Sequence, residues 1–537
     1  MEPAALDEVR ALLGAAPRRA DLLIEHLHLI QDAHGHLSAP HLVALAHELQ
    51  LTPAEVYEVA TFYHHFDVVR PGAPPPPPLT VRVCESVSCH MAGAWELIQS
   101  LQDHLGPAIR VMAAPCVGRC EQAPVAVVGR APVDRATPGA VGRAVRASSH
   151  EPALPDATDY AAYRTGGGYR MLTACVQGSR SADDVIAAVD ASGLRGLGGA
   201  GFPTAAKWKF VRAEPTPRVV AVNADEGEPG TFKDRYCLET DPHRVLEGLF
   251  IAAWVVGAAD VFFYLRDEYA AARAILTREL AALRLDPPCA LPRMHLRRGA
   301  GAYICGEETS LIESIEGKRG EPRLRPPFPA QAGVFGRPTL VQNVETLYWL
   351  RRILEDGPEA FAGKGLRGHT GERFFSVSGR VQNPGVYCAP NGITVRELIE
   401  IAGGIAPGHD FYAYLPGGAS GGILPASLGD VPLDFRSLDE YGCFIGSAAI
   451  VILSQHDRVR DIAHNLMHFF AHESCGKCTP CRVGTAKAEQ LMRSESWDLP
   501  ILNDLAQVMS DASICGLGQA APNPLRCAER FFPHELA

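Results

Sequence analysis

The sequence predicts a multidomain chain that combines α/β and α+β units, and three observations point to this fold class. At 537 residues the chain exceeds what a single hydrophobic core serves, so roughly three to five domains are expected. Helical periodicity dominates both ends of the chain, whereas strand-like stretches recur between them. A proline-rich run over residues 71–78 predicts a stiff spacer and an early domain boundary.

Composition and charge exclude several classes of protein. The chain is 47% hydrophobic and 21% charged, as in ordinary globular proteins, and its formal charge of −11 argues against a nucleic-acid-binding surface. No apolar run reaches the roughly 20 residues that a membrane span needs, and the N-terminus lacks the apolar core of a secretory signal. We therefore expect a cytoplasmic protein that binds no nucleic acid and does not insert into a membrane.

The N-terminal part predicts a helical head followed by a small α/β module. Residues 1–70 read as helices, and Thr52 with Glu55 three residues later forms the capping box of a helix start. Residues 79–150 alternate strand and helix patterns after the proline spacer, and the first predicted strand ends at Cys84.

The remainder of the chain predicts three further units. Residues 160–365 alternate helices with buried strands such as Arg218–Val222, which predicts an α/β domain. Residues 366–455 contain short strands and Gly/Pro turns, which predict a compact α+β insert. Residues 456–537 are helical, with apolar residues on one face.

The C-terminal cysteine group predicts an iron–sulfur site. Cys475, Cys478 and Cys481 lie at two-residue gaps on one tight turn, and Cys515 comes from a distant loop. Three closely spaced cysteines with a remote fourth are typical of a [4Fe–4S] cluster. Zinc remains an alternative, although structural zinc sites generally use two separate cysteine pairs.

The N-terminal cysteine group is less specific. Cys84 and Cys89 form one pair, and Cys116 and Cys120 form a second pair on another loop. This spacing suits a [2Fe–2S] cluster and a zinc ion about equally. The seven other cysteines are interpreted as small buried apolar residues: Cys175, Cys237, Cys289, Cys305, Cys388, Cys443 and Cys527.

A glycine-rich loop and an acidic run predict a ligand site. Gly196–Gly201 matches G-x-G-x-x-G, but a predicted helix precedes it, so the usual strand context of a dinucleotide fingerprint is missing. The glycines still let the backbone approach a flat or phosphorylated ligand, unless the segment is a flexible surface loop.

Asn223–Gly230 follows the predicted strand, where carboxylates can accept hydrogen bonds from ribose or ribityl hydroxyls, or form a solvated turn. Tyr303, in a second glycine and acid loop, contacts either a ligand ring or the core.

Together these motifs resemble the NADH-oxidising flavin subunit of respiratory complex I and its relatives in NAD-linked hydrogenases and formate dehydrogenases. The resemblance covers about residues 160–537, and its motifs are Gly193–Thr204, Asn223–Arg235, Gly301–Arg319, Pro338–Leu347 and Cys475–Cys481. Residues 1–150 separately resemble the complex I subunit that has a helical head and a thioredoxin-like [2Fe–2S] domain, all four of whose cysteines are matched.

The resemblance implies the fold of each unit. It implies a thioredoxin-like [2Fe–2S] domain over 79–150 and a Rossmann-like FMN- and NAD-binding domain over 160–365. It further implies a β-grasp-like (soluble ligand-binding) domain over 366–455 and a C-terminal helical bundle carrying the [4Fe–4S] cluster over 456–537.

The resemblance also implies which residues hold the cofactors. The residues implied for FMN are Arg195, Gly196, Gly198, Lys207, Asn223, Asp225, Glu226, Gly306, Glu307, Asn343 and Thr346. The residues implied for NAD(H) are Phe202, Phe210, Glu228, Tyr303, Glu308 and Phe328. Glu228 would disfavour NADP, and no catalytic side chain is implied because the flavin carries the hydride. The chain departs from the family at Leu197, where an Arg is common, and at Arg325, where a Lys is frequent.

The function implied is that of a diaphorase, which exchanges hydride between NAD(H) and FMN and relays electrons through the clusters. The sequence contains no molybdenum or nickel–iron substrate site, so a partner catalytic subunit and a hetero-oligomer are expected. We favour the beta subunit of an NAD-dependent formate dehydrogenase, whose partner is a molybdenum- or tungsten-containing alpha subunit. The alternatives are the diaphorase of an NAD-reducing hydrogenase or of complex I, and, more remotely, a zinc-stabilised interaction scaffold.

Overall fold

A computed structural model describes residues 2–536 and begins with a helical head. Its elements are α1 Pro3–Leu13, α2 Leu23–His34, β1 Leu37–Ser38, α3 Ala39–Leu49, α4 Pro53–Phe62 and β2 Val68–Val69. The capping box at the start of α4 is confirmed, since Thr52 Oγ1 accepts a hydrogen bond from Glu55 N at 3.2 Å and Glu55 Oε2 accepts one from Thr52 N at 2.7 Å. These bonds satisfy N–H groups that have no partner within the helix or at its start.

The next unit is a four-stranded sheet with helices against it. Its elements are β3 Leu79–Cys84, α5 Val87–Met91, α6 Ala94–Leu105, β4 Ile109–Ala114, β5 Ala126–Val128, β6 Ala131–Val133 and α7 Pro138–Val145. The strand order is β4-β3-β5-β6, with β3 parallel to β4 and antiparallel to β5. Cys84 ends β3, Cys89 lies in α5, and the loop after β4 carries Cys116 and Cys120, so the topology brings both pairs to one end of the sheet.

The α/β unit is built on a parallel sheet of order β10-β7-β8-β9. Its elements are α8 Tyr160–Thr165, α9 Arg170–Val176, α10 Ala182–Ala191, α11 Thr204–Ala213, β7 Arg218–Ala224, α12 Lys233–Thr240, α13 Pro242–Val256, β8 Ala258–Leu265, α14 Ala270–Leu285, β9 Arg293–Arg298, α15 Glu308–Ile315, β10 Thr339–Asn343, α16 Val344–Asp356 and α17 Pro358–Ala362. Apolar residues run continuously through β7 because helices cover both faces of a parallel sheet. Asn223 and Asn343 are paired in register where β7 and β10 end.

The insert is a five-stranded mixed sheet of order β12-β11-β15-β13-β14. Its elements are β11 Glu372–Gly379, β12 Gly385–Pro390, α18 Val395–Ile401, β13 Phe411–Leu415, β14 Leu424–Pro425 and β15 Ala449–Ser454. Every residue of the central strand β15 is buried, which explains its unbroken apolar sequence.

The C-terminal unit is helical, as the sequence predicts. Its helices are α19 Val459–Glu473, α20 Thr479–Met492, α21 Leu499–Ala512, α22 Gly516–Ala520 and α23 Asn523–Phe531. Cys475 and Cys478 lie in the turn between α19 and α20, Cys481 lies in the first turn of α20, and Cys515 immediately precedes α22. None of the helices within residues 2–536 is both long and apolar enough to cross a bilayer.

Charged pairs fasten the head to the α/β unit. Arg297, on β9, contacts Asp21 at 2.6 Å and Glu25 at 3.0 Å, and its side chain is only 5% exposed. Tyr63 OH donates to Ser314 Oγ at 2.9 Å from the other side of the same junction. The head is therefore joined to the α/β unit by buried polar contacts, whose loss would leave unpaired groups in the interior.

The single cysteines are only partly as predicted. Cys388 is exposed, contrary to the prediction, because it lies on the edge strand β12; Cys289 is half-buried. Cys443 and Cys527, which are distant in sequence, lie with their Sγ atoms 3.4 Å apart in the interior. The other three, Cys175, Cys237 and Cys305, are buried as predicted.

A glycine sets the distance between two central helices and gives a first prediction. A Cβ at Gly248 of α13 would lie against the carbonyl of Leu347 in α16, 2.8 Å from its carbon atom. We expect Gly248→Ala to destabilise this contact by about 1–3 kcal/mol, because main chain cannot yield as a side chain does. Hydrogen exchange should become faster in peptides from both helices.

Gly142→Ala in α7 is the matched control. The Cβ added there meets only the mobile end of Arg146, at 3.5 Å, so exchange in α7 should be unchanged or slower. If hydrogen exchange in α13 were as slow in the Gly248→Ala variant as in the unaltered protein, the prediction would be contradicted.

Candidate functional site

A cavity of about 510 Å³ lies beside the carboxyl ends of β7 and β10. Its wall is formed by the glycine loop before α11, the loops that follow β7 and β9, two loops of the insert, and α22. The predicted residues that line it are Gly198, Asn223, Asp225, Glu226, Glu228, Tyr303, Gly306, Glu307 and Asn343.

Sequence reasoning missed several residues of the cavity wall. The wall residues that were not predicted include Thr231, Lys233, Asp234, Ser420, Phe444, Gly446, Ser447, Gly516, Leu517, Gln519 and Ala520. The segment 416–422, with its four glycines, carried a usable signal, because backbone that approaches a ligand closely tends to be glycine-rich. Nothing local in the sequence indicates that α22 reaches the cavity.

Two asparagines hold the floor of the cavity together. Asn223 Nδ2 donates to Gly306 O at 2.8 Å, and Asn343 Nδ2 donates to Asp234 Oδ2 at 2.6 Å. Asn343 Oδ1 also accepts from Glu345 N at 3.0 Å and so caps the start of α16. Asn223 therefore fixes the segment that carries Gly306, and Asn343 fixes the start of α12.

The buried carboxyl group of Asp225 is suited to a ligand hydroxyl. Its Oδ2 atom is buried and has no hydrogen-bond partner within residues 2–536. Burial raises the pKa of Asp225 well above its ordinary value. A buried acceptor without a donor is costly, and a hydroxyl of a bound molecule would remove that cost.

Glycines bring main chain to the cavity surface. A Cβ at Gly198 would be 3.1 Å from Asn343 Cβ, and one at Gly306 would be 3.3 Å from Asp225 O. Side chains at these two positions would crowd the floor of the cavity. Together with the unpartnered oxygen of Asp225, this backbone cradle fits the ribityl chain and flat ring of FMN.

Glu226 and Lys233 belong to a buried charged network in the cavity wall. Glu226 accepts hydrogen bonds from Asp234 N at 2.7 Å, Arg235 N at 3.0 Å and Tyr269 OH at 2.7 Å. Burial, together with the nearby charge of Asp234, raises the pKa of Glu226 to about 7. Although burial opposes its charge, the acidic neighbours of Lys233 raise its pKa, so its ammonium group stays protonated.

Both oxygens of Glu228 have partners from other domains or loops. Oε1 accepts from Ser420 N and Ser420 Oγ, each at 2.7 Å, and Oε2 accepts from Tyr303 OH. Burial raises the pKa of Glu228 above its ordinary value. Tyr303 N in turn donates to Glu473 Oε2 at 2.8 Å, at the end of α19. This part of the wall thus links the α/β unit, the insert and the C-terminal helices.

Three of the residues predicted for FMN shape the glycine loop rather than line the cavity. Arg195 Nη1 donates to Gly201 O at 2.9 Å, and Gly196 N donates to Phe202 O at 2.8 Å, so the loop is closed on itself. Thr346 Oγ1 accepts from Leu197 N at 2.9 Å and anchors the loop to α16.

The remaining predicted residues lie outside the cavity wall. Lys207 Nζ is 3.0 Å from Glu308 Oε2, and Arg325 Nη1 is 3.2 Å from Glu308 Oε1. These ion pairs join α11 to the loop that carries Gly306 and Glu307. Three aromatic residues are unusually exposed for their type: Phe202 is 47%, Phe210 58% and Phe328 53% exposed. The first two have ring centroids 6.3 Å apart; Phe202 precedes α11 and Phe210 lies within it.

The N-terminal cysteines form a buried group of four thiols. Cys116 Sγ is 3.5 Å from Cys120 Sγ, and all four side chains are buried. Hydrogen bonds with Cys116 and Cys89, together with burial, raise the pKa of Cys84. Four thiolates cannot coexist there without positive charge, which an iron centre bound to the sulfurs supplies.

The C-terminal cysteines are held near α22 and the cavity. Burial raises the pKa of Cys481 to about 11 and that of Cys515 to about 12. The nearby main-chain N–H groups of Leu517 and Gly518 oppose part of the rise in the pKa of Cys515. A Cβ at Gly518 would be 2.8 Å from Cys481 Cβ, so only glycine lets α22 approach the cysteine turn.

Family models match most of the chain. Residues 9–149 match a thioredoxin-like [2Fe-2S] ferredoxin, residues 189–352 the Nuo51 FMN-binding domain, residues 374–424 an SLBB domain, and residues 461–537 the iron–sulfur binding region of NADH-ubiquinone oxidoreductase F. The predicted fold class and the predicted cofactors, FMN, NAD, [2Fe–2S] and [4Fe–4S], are confirmed by these matches. They favour iron–sulfur clusters over zinc for both cysteine groups.

Curated relatives are similar to this chain over much of its length. The F 2 protein of the NADH-quinone oxidoreductase of Rhizobium meliloti is 41% identical over 399 residues, which cover 71% of this chain and 94% of the relative. The mitochondrial NADH-ubiquinone oxidoreductase 51 kDa subunit of Neurospora crassa is 41% identical over 376 residues, which cover 66% of this chain and 76% of the relative. The fold resembles a chain in the crystal structure of an NAD+-reducing [NiFe]-hydrogenase in its H2-reduced state, with a TM-score of 0.83, 32% identity and coverage of 97% of this chain and 92% of that chain.

The comparisons and the geometry agree on the kind of subunit. The cavity, the two cysteine groups and the cofactors are those of a flavin and iron–sulfur subunit that transfers electrons between NAD(H) and a partner. The chain belongs to the family of NADH-quinone oxidoreductase F subunits, and a thioredoxin-like [2Fe–2S] domain precedes the family's own domains on the same chain.

Proposed function

We propose that the chain is the NAD(H)-reacting subunit of an NAD-dependent formate dehydrogenase, and that it transfers electrons from formate oxidation to NAD⁺. The observation that carries the diaphorase part is the cavity wall itself. It combines a glycine cradle and an unpartnered carboxyl group with α22, the helix that immediately follows Cys515. One site can therefore hold a flavin next to a cluster.

The side chains around the cavity position the reactants. When bound, FMN supplies the chemistry of hydride exchange with the nicotinamide and of one-electron exchange with the clusters. We assign Asp225 and Asn223 to the ribityl chain of FMN, and Gly198 and Gly306 to close contact with its ring or phosphate. The chain's own contribution is orientation and the exclusion of water from the cavity.

The exposed aromatic residues suit the nucleotide. We assign Phe202, Phe210 and Phe328 to stacking on the bases of NAD(H), because their exposed ring faces are available for stacking. Glu228 is the proposed determinant of NAD preference, since a carboxylate repels a 2′-phosphate. Lys207 and Arg325 each form an ion pair with Glu308, and these pairs fix the positions of the segments that carry the three residues.

The cysteine groups are assigned to two clusters. We assign Cys475, Cys478, Cys481 and Cys515 to the [4Fe–4S] cluster, and Cys84, Cys89, Cys116 and Cys120 to the [2Fe–2S] cluster. Phe232 is buried against Cys116 and Cys120, and its neighbours Thr231 and Lys233 line the cavity. Both groups therefore lie next to residues of the cavity wall.

The choice of partner rests on fewer observations. The preference for a molybdenum- or tungsten-containing alpha subunit comes from the presence of all four N-terminal cysteines. The second candidate is the diaphorase of an NAD-reducing hydrogenase, which is favoured by the likeness to such an enzyme over almost the whole chain. The cytoplasmic location inferred from the sequence stays a prediction.

The partner can be tested by anaerobic purification of the tagged chain from its native host at endogenous expression. We expect a co-purifying large subunit, stoichiometric molybdenum or tungsten, and formate-dependent NAD⁺ reduction. Nickel with H2-dependent NAD⁺ reduction would identify the hydrogenase instead, and NADH-dependent quinone reduction would identify a complex I assembly.

Glu228→Gln is expected to raise the ratio of kcat/KM for NADPH to that for NADH by at least about tenfold, which corresponds to roughly 1.4 kcal/mol. The physical reason is that the amide no longer repels the 2′-phosphate of NADPH. Steady-state reduction of ferricyanide by each nucleotide measures the ratio.

Ser420→Ala is the control for Glu228→Gln, since it removes the hydrogen bond that Ser420 Oγ donates to the Glu228 carboxylate and keeps the charge. It should leave the nucleotide ratio close to that of the unaltered protein. An unchanged ratio in Glu228→Gln would refute the proposed role of Glu228.

Cys478→Ala is expected to separate hydride chemistry from electron delivery. Loss of this ligand should remove the [4Fe–4S] signal in electron paramagnetic resonance and lower electron transfer to the partner about a hundredfold or more. NADH-dependent dye reduction should fall much less, because it needs only the flavin. The exposed Cys388, replaced by Ala, is the matched control and should change neither activity. Equal loss of both activities at full FMN content would count against a relay role.

A further inference from the structure

The helical head contains a group of metal-ligating side chains that takes no part in the cavity or the cysteine groups. Glu8 lies on α1, His34 is the last residue of α2, and His41 lies in the first turn of α3. One possible ligand atom from each of the three lies within 4.8 Å of the others. His41 Nε2 is 2.8 Å from Glu8 Oε2, and the rings of His34 and His41 have centroids 4.4 Å apart.

Local structure fixes the position of these three residues. Gly35 ends α2 directly after His34 in a left-handed conformation, with φ of 74°, so the chain turns at once towards α3. Ser38 Oγ accepts from His41 N at 3.3 Å and caps α3. The turn between the two helices therefore brings the end of one against the start of the other.

The group is poorly satisfied by protein contacts alone. His41 is only 8% exposed, and its Nδ1 atom has no hydrogen-bond partner within the described part of the chain. Neutral imidazole and a carboxylate are the forms that bind metal.

We propose that Glu8, His34 and His41 bind one divalent transition-metal ion, with Zn²⁺ as the preferred occupant. Two imidazoles and one carboxylate are a donor set that suits zinc, whereas calcium and magnesium prefer oxygen ligands. Zinc at about 2.0–2.1 Å from each ligand requires ligand atoms about 3.3 Å apart. The exposed side chains of Glu8 and His34 reach this separation by rotation, and solvent supplies the fourth ligand.

The ion fastens the first helix to the rest of the head. Outside the proposed site, α1 and α3 are joined by the ion pair between Arg10 and Glu48, at 2.9 Å, in which Arg10 is half exposed. Exposed pairs of this kind contribute little to stability. A metal that joins three helices contributes its binding free energy to the docking of α1.

The test is zinc binding by the full chain purified anaerobically with its cofactors in place. After incubation with Zn²⁺ and gel filtration, we expect about one more zinc ion per chain than in the Glu8→Gln/His34→Gln double variant. These two side chains are exposed, so their replacement preserves the fold. His47→Gln, an exposed histidine on the same α3, is the matched control and should retain the zinc. Equal zinc content in the unaltered protein and the double variant would overturn the proposal.

Zinc could also enter the cysteine groups, and X-ray absorption at the zinc edge separates these sources. The proposed site gives only nitrogen and oxygen neighbours at about 2.0–2.1 Å, while zinc bound by cysteine gives sulfur at about 2.3 Å. A sulfur shell that accounts for the bound zinc would overturn the proposal. Hydrogen exchange is a further measurement: Zn²⁺ should slow exchange in residues 3–13 of the unaltered protein and of His47→Gln, and not in the double variant.

Discussion

Two buried arginines, Arg235 and Arg266, hold the cavity and the N-terminal cysteine loop in one piece. Arg235 Nε donates to Gly118 O at 2.9 Å, and Arg266 Nη2 donates to Cys116 O at 2.6 Å. The same guanidinium groups contact Glu121 and Glu239, and the main chain of Glu226. Breaking a buried pair of this kind costs about 3–5 kcal/mol, because a charge is left without a partner. The geometry of both sites therefore depends on these contacts.

The cavity belongs to no single domain. The α/β unit supplies its floor at the ends of β7 and β10, the insert supplies Ser420 and Phe444, and the C-terminal unit supplies α22. Tyr303 connects these parts, because its ring packs edge-on against Phe469 of α19 at 5.0 Å while its main chain bonds to the end of the same helix. A displacement of α19 would therefore change both the cavity wall and the turn that carries Cys475.

Much of this arrangement could be predicted from the sequence, and what could not be predicted has a physical reason. Asn223 was identifiable because polar residues at the end of a buried strand face the ligand edge of an α/β sheet, and the spacing from Cys475 to Cys481 identified a cluster turn. Ser420 and the residues of α22 reach the cavity only through long-range packing, which leaves no local pattern. Thr346 is predicted to contact FMN, and in the structure its hydroxyl accepts a hydrogen bond from Leu197 N. A polar residue that anchors a loop and one that contacts a ligand look the same in the sequence.

The hydrogen bonds between the two arginines and the cysteine loop limit which residues of the loop can change in evolution. Arg235 and Arg266 bind main-chain carbonyl groups, which every residue type presents alike. Arg119 can be replaced without loss of these contacts, because its own partner is Asp134, at 2.6 Å. Gly118 cannot, because a Cβ there, at φ of +69°, would collide with the ring of Tyr269. Divergent members of the lineage should therefore keep this glycine and the two arginines together.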